Sequence, residues 1–348
     1  MTSTPSAPDL YSARRVPTAA MFAGLVVVLA SAALAALALG SVRLPAADIA
    51  AALFGGGKPL TRTIVIDLRL PRVVLAVLIG GALGTSGAAY QALFRNPLAD
   101  PFVVGASSGA AAGAAVVIVT GWAGAASGFG PASLGAFGGA LLTVGLVYAI
   151  AAAGQMPAIS LLLVGTVVSN VLGAAVWLLM ALADQNLHHI VGWLMGGLAG
   201  HGWDTVAAAA LPMLAGAVVL CLLGRPLDAL CGGEEAARAL GLWVGGATAL
   251  VLAAASLAAA TAVAAGGVIG FVGLAAPHLA RPLVGVAHAR LVPASGLVGA
   301  LLLLGADALA RSVAAPLELP IGVVTALLGG PFFLVVLRRS WSTRWQGG

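Results

Sequence analysis

Apolar residues run in blocks near 18–40, 72–94, 102–121, 131–153, 160–183, 204–223, 243–265, 267–283, 293–311 and 319–338, each bounded by charge, Pro or Gly. A helix needs about 20 apolar residues to cross the ~30 Å hydrocarbon layer of a bilayer. The blocks therefore predict about ten crossings in an all-α polytopic membrane protein. They are rich in Gly, Ala and Leu and lack the period-two alternation of a membrane barrel, so they read as helices that satisfy their own backbones. Three intervening stretches do not span. In 41–70, Ala46–Phe54 reads as a short amphipathic helix on the outer surface. In 184–202 the segment DQNLHHIVGWLMGGLAGHG is too polar and Gly-broken to cross, and either re-enters or caps a cavity. In 224–242, Glu234–Leu240 reads as a small exposed helix. The organisation expected is a cytoplasmic tail over 1–17, one transmembrane domain over 18–338 and a second cytoplasmic tail over 339–348.

Composition fixes the solvent. Of 348 residues, 61% are hydrophobic and 8% charged, against about 25% charged in a soluble domain. Such a chain cannot coat a globule with polar side chains and must lie in lipid. The net charge of +5 would fit nucleic acid if it formed a patch, but the cations are dispersed among loops. Ten of the sixteen Lys and Arg residues fall on the side that carries both termini, and five of the other six lie within 41–72. The bias puts both termini in the cytoplasm and leaves no nucleic-acid surface. Met21–Leu39 follows Arg14 and Arg15 but precedes no clear cleavage site, so it reads as a retained first helix. Cys221 and Cys231 read as small apolar fillers. The pairs Gly80/Gly84, Gly109/Gly113, Gly241/Gly245 and Gly266/Gly270 have the spacing that lets helix backbones approach closely in lipid.

Chemistry-bearing motifs are few. Gly55-Gly56-Gly57-Lys58 is followed by Pro59 and lacks the earlier Gly of a phosphate-binding loop. Any ATP is then hydrolysed by another polypeptide. Gly105-Ala106-Ser107-Ser108-Gly109 fits G-x-S-x-G, with His278 as a conceivable base of an intramembrane serine protease, but a nucleophile elbow requires a preceding strand and none is predicted. A secondary, ion-coupled transporter needs buried acids or broken-helix ion sites. Only Asp307 lies in a predicted span, with Arg311 one turn later on the same face, an intrahelical pair that positions Arg311. No catalytic residue, metal site or cofactor is expected.

Four segments carry a family likeness: Arg69–Gly109 (RLPRVVLAVLIGGALGTSGAAYQALFRNPLADPFVVGASSG), Gly267–His278 (GVIGFVGLAAPH), Asp307–Arg311 (DALAR) and Glu318–Pro331 (ELPIGVVTALLGGP). Together, in this order, the chain resembles the FecCD-like permeases of ABC importers for iron-siderophores, haem and vitamin B12. The resemblance implies the vitamin B12 importer-like permease fold of ten transmembrane helices in the cell inner membrane. It also implies a homodimer, two cytoplasmic ABC ATPase subunits and a periplasmic or lipid-anchored substrate-binding protein, all acting within membrane lipid. It gives Arg69, Arg72 and Arg311 the docking of that binding protein, and guanidinium forks at outer helix ends suit carboxylates. It gives Asn96 and Leu98, with Ala158 and Ile159, the cytoplasmic gate. Relatives can have small hydroxyl residues at the second pair, which is more apolar here. Glu234, Glu235, Ala236, Arg238 and Leu240 correspond to the helices that sit in a groove of the ATPase. Ser169, Asn170, Gly173 and Trp177 would line the translocation path. On physics alone, Ser169 and Asn170 must face a cavity or a neighbouring helix and not lipid. His188, His189, Met195 and His201 are of the types that ligate haem iron, but an importer has to release its cargo. His278 reads as structural. The cargo expected is an iron chelate, haem or ferric siderophore, or cobalamin, moved by alternating access.

Overall fold

Every apolar block falls on a helix in the computed structural model, which describes residues 17–40, 44–124, 128–154 and 156–345. The helices are α1 (Thr18–Ala38), α2 (Ala46–Leu53), α3 (Pro59–Arg62), α4 (Leu70–Leu93), α5 (Ala106–Thr120), α6 (Pro131–Ala153), α7 (Ser160–Leu182), α8 (Leu187–Leu194), α9 (Trp203–Leu222), α10 (Gly224–Cys231), α11 (Glu234–Ala239), α12 (Val244–Gly266), α13 (Val272–Val284), α14 (His288–Ser312) and α15 (Ile321–Trp345). A π-helical stretch, Thr63–Arg69, joins α3 to α4. No strand occurs among the described residues. The short helices expected in the three non-spanning stretches are α2 and α3, α8, and α10 and α11. The predicted tail 1–17 lies outside the described residues but for Pro17. At the other end α15 runs past residue 338 to Trp345, so the helix takes in most of the predicted tail.

Among the described residues, α1, α6, α7, α9, α12 and α14 are long and apolar enough to cross a membrane. Two predicted crossings come out short: α5 has 15 residues and α13 has 13. At 1.5 Å per residue α13 extends only about 20 Å. The cause is local. Gly267 and Phe271 take left-handed backbone conformations ahead of it, and Pro277 and Pro282 interrupt its hydrogen bonding. The apolar block 267–283 thus begins as a turn.

The centre of the bundle is α4 with α12 and α14 against it. α4 is buried along nearly its whole length, and 78% of the apolar window of α12 is buried, against 17% for α7 and 11% for α1. Glycine sets the α4–α14 distance. A Cβ on Gly80 would overlap the Gly299 carbonyl and one on Gly84 the Ser295 carbonyl, so the two backbones touch without intervening side chains. Gly109 and Gly113 bring α5 equally close to α6. The other two glycine pairs behave differently. Gly241 and Gly270 have nothing near a Cβ position, and Gly245 meets only the Trp243 ring at van der Waals distance; Gly266 alone is crowded, by Ile79 and Ile269. Gly241 ends a helix at φ +78°. Its spacing reflects a turn and not an interface.

Candidate functional site

The arginines expected to dock a binding protein come together at one end of the bundle. Arg72 opens α4, and its Nε donates to Asp307 Oδ1 at 2.8 Å while its Nη1 donates to Glu318 Oε2 at 2.8 Å. Arg311, one turn after Asp307 on α14, pairs with Asp307 Oδ2 at 2.9 Å. Its Nη1 reaches the Leu39 carbonyl at 2.8 Å, and Arg69 Nη1 reaches the Leu37 carbonyl at 2.7 Å. The last carbonyls of α1 have no intrahelical donors, and two guanidinium groups supply them. Asp307 has no exposed surface, and all three arginines are buried. Only Glu318 reaches solvent, with 45% of its side chain exposed. Helical spacing pairs Asp307 with Arg311, whereas Arg72 stands 235 residues from Asp307 and 246 from Glu318, separations that no helical period spans.

At the opposite end, Asn96 closes the turn after α4, where its Oδ1 accepts from Leu98 N at 2.9 Å. Leu98 and Ile159 are exposed apolar residues. Ala158 N donates to Glu234 Oε1 at 3.3 Å, and Glu234 Oε2 accepts from Arg238 Nη2 at 2.7 Å. On α11, Ala237 is buried while Glu235, Ala236, Arg238 and the following Leu240 face outward. Preceding it on α10, Asp228 Oδ1 accepts from His288 N at 2.9 Å and lies 2.6 Å from His288 Nδ1. Partial burial and then the Asp228 charge push the Cys231 thiol up from its ordinary pKa.

The four residues expected to line a path divide. Ser169 Oγ lies 3.1 Å from Ser108 Oγ of α5, a contact with a neighbouring helix. Asn170 and Trp177 are exposed, Trp177 by 71%, and Gly173 has open space around it. A cavity of about 320 Å³ lies there between Ser108, Gly173, Trp177, Met180, Leu194 and Met195. Residues 184–202 form a cap. Ile321 N and Gly322 N donate to the carbonyls of Gly196 and Met195, and Gly197 N donates to that of Gly266. Beneath the cap is a second cavity, of about 230 Å³, with Ser133, Trp193 and His201 in its wall. Burial and then the Arg72 charge hold His201 below its ordinary pKa. His188 and His189 are exposed, and no group of three His, Cys, Asp or Glu residues fit for a metal occurs among the described residues.

The protease arrangement has no support in this geometry. Ser107 lies inside α5, and His278 Nδ1 sits 3.0 Å from the carbonyl of Leu274, one turn back on its own helix.

With buried arginines at one end, a short polar helix pair at the other and an unpacked α7 between, the chain matches the FecCD transport family over residues 23–339. It belongs to that family of ABC importer permeases. It is 43% identical to the cobalamin import system permease protein BtuC of Halobacterium salinarum over 302 residues, 86% of this chain and 80% of the relative. It is 40% identical to the hemin transport system permease protein HmuU of Yersinia pestis over 291 residues, 80% of this chain and 84% of the relative. Among solved structures, one assigned to an inward-facing ABC transporter of metal-chelate type superposes with a TM-score of 0.81 at 32% identity, covering 92% of this chain and 99% of the other. The FecCD permease is thus a multi-pass membrane transport protein.

Proposed function

We propose that this FecCD permease is a ten-crossing subunit that works as a homodimer in the cell inner membrane, both termini cytoplasmic, and imports a bulky metal chelate by alternating access. Two cytoplasmic ABC ATPases supply the energy and a periplasmic or lipid-anchored binding protein delivers the cargo. The observation that carries this reading is the family match over nearly the whole chain. The exposed Asn170, Gly173 and Trp177 face on an otherwise apolar α7 supports a path that a second copy would complete. Docking of the binding protein on Arg69, Arg72 and Arg311 is supported by Arg72, whose Nη1 already meets both oxygens of the half-exposed Glu318 carboxylate, an acid at the solvent edge of the cluster. Asn96, Leu98, Ala158 and Ile159 form the inner gate in this reading, and the outward face of α11 docks the ATPase. Haem, ferric siderophore and cobalamin are the cargo candidates.

The test is uptake into proteoliposomes that hold the permease with its ATPase, using haem, cobalamin and a ferric siderophore in turn, each with its binding protein. Uptake of one cargo only with ATP inside the ATPase compartment is the expected outcome. Uptake that continues without nucleotide would mean an ion-coupled carrier instead. Docking is tested by Arg72→Lys, which keeps the charge but cannot hold Asp307 and Glu318 together: some thermal stability is lost, and capture of the binding protein by permease that remains monodisperse should weaken. Charge reversal is the poorer test, since a Glu at 72 would face Asp307 and Glu318 and unfold this end of the bundle.

A further inference from the structure

Two carboxylates of the segment 224–242 accept backbone N–H groups from different parts of the bundle. On α10, Asp228 accepts the backbone N–H of His288 and lies against its ring. His288 is the first residue of α14, and α14 is locked to α4 backbone to backbone. On α11, Glu234 accepts the N–H of Ala158, two residues before α7 begins. Between the two helices lies Gly232-Gly233, with Gly233 at φ +104°, a conformation that side-chain-bearing residues rarely adopt. One carboxylate therefore holds the start of α14 in the tightly packed centre, and the other holds the turn ahead of α7, which after α1 has the least buried window of the long apolar helices.

The chemistry of the second attachment fits a link that can be pulled. Ala158 N–H belongs to the turn leading into α7, where helix-end donors have no partner within the helix and the dipole favours an anion. Glu234 supplies both the acceptor and the charge, and Arg238 one turn later orients its other oxygen. Next to this bond is a cavity of about 180 Å³ between Tyr148, Met156, Ala158, Glu234, Arg238 and Thr248, room into which the turn can shift. Within the chain α7 buries only Leu161, Gly165 and Val176.

We infer that Glu234 is a positioning residue that passes movement of the ATPase-docked helix α11 directly to the inner gate and α7, while Asp228 holds α10 still on α14. The inference rests on reading α11 as the ATPase dock and Ala158–Ile159 as gate. Its test uses the full permease with its ATPase, Cys221→Ala and Cys231→Ala throughout, and Ile159→Cys as a reporter labelled by a membrane-impermeant maleimide. Labelling is compared between the nucleotide-free and the vanadate-trapped complex. Glu234→Gln and Glu234→Ala both remove the charge, but only the second removes the acceptor for Ala158 N–H. The nucleotide-dependent change in labelling should persist in Glu234→Gln and be lost in Glu234→Ala. Retention in both variants would overturn the inference, since no link through this oxygen is then needed. Loss in both would overturn it too, placing the effect in the charge facing the ATPase. Absence of any change in the Ile159→Cys parent, or of the ATPase from the parent preparation, would instead remove the gate or docking reading on which the inference rests.

Discussion

Removing the Asp307 carboxylate would leave two guanidinium groups, Arg72 and Arg311, inside the bundle with Glu318 as their one acidic neighbour among the described contacts. Breaking a buried pair by deleting one partner costs about 3–5 kcal/mol, because the remaining charge is left uncompensated. Asp307→Asn should therefore lower the unfolding temperature of the detergent-solubilised permease sharply. Glu318→Gln should move it little, since a half-exposed pair contributes about 1 kcal/mol or less. A fall for Glu318→Gln as large as that for Asp307→Asn would contradict this division. Part of the cluster was legible in the sequence. Asp307 and Arg311 stand four residues apart, and a helix places such residues on one face. Arg72 is 235 residues from Asp307, and no helical period reaches across that interval. The capping of α1 by Arg69 and Arg311 was invisible for the same reason.

Among the elements, α4 and α14 meet where neither has a side chain to yield. Gly84→Val would drive a branched side chain into the Ser295 carbonyl, and because the obstacle is backbone the helices must separate. We expect loss of folded protein in the membrane fraction and a polydisperse profile on size-exclusion chromatography. Gly138→Ala on α6 is the contrasting change: nothing lies within reach of the new methyl, and Ala improves helix propensity by about 1 kcal/mol, so the unfolding temperature should hold or rise. Glycine spacing predicted the α4 and α5 contacts correctly and Gly241/Gly245 wrongly. Spacing tells which residues share a face, but it does not tell whether the backbone there is still helical. The block that became α13 fails in the same manner, since hydropathy counts Gly267–Phe271 as apolar without registering that it turns.

For the molecule as a whole, hydrophobic blocks separated by charged loops sufficed to place every long helix and all three short-helix loops, because lipid forces each backbone to satisfy itself locally. Family motifs supplied roles that periodicity could not. What neither supplied is the uneven distribution of packing: a centre of α4, α12 and α14 in close contact and a peripheral α7 with most of its surface unpacked. Trp177→Ala tests that contrast. With 71% of the residue exposed, its removal should shift folding stability by no more than about 0.5 kcal/mol, read as an unchanged unfolding temperature, while altering uptake of the cargo. The glycine seam between α4 and α14 has a consequence for redesign. If α7 walls the path as proposed, a scaffold held at Gly80, Gly84 and Gly299 and a lightly packed α7 would separate durability from selectivity. Libraries that randomise Thr166, Asn170, Gly173 and Trp177 together should stay well expressed, and a carrier retuned to a foreign chelate is most economically sought among them.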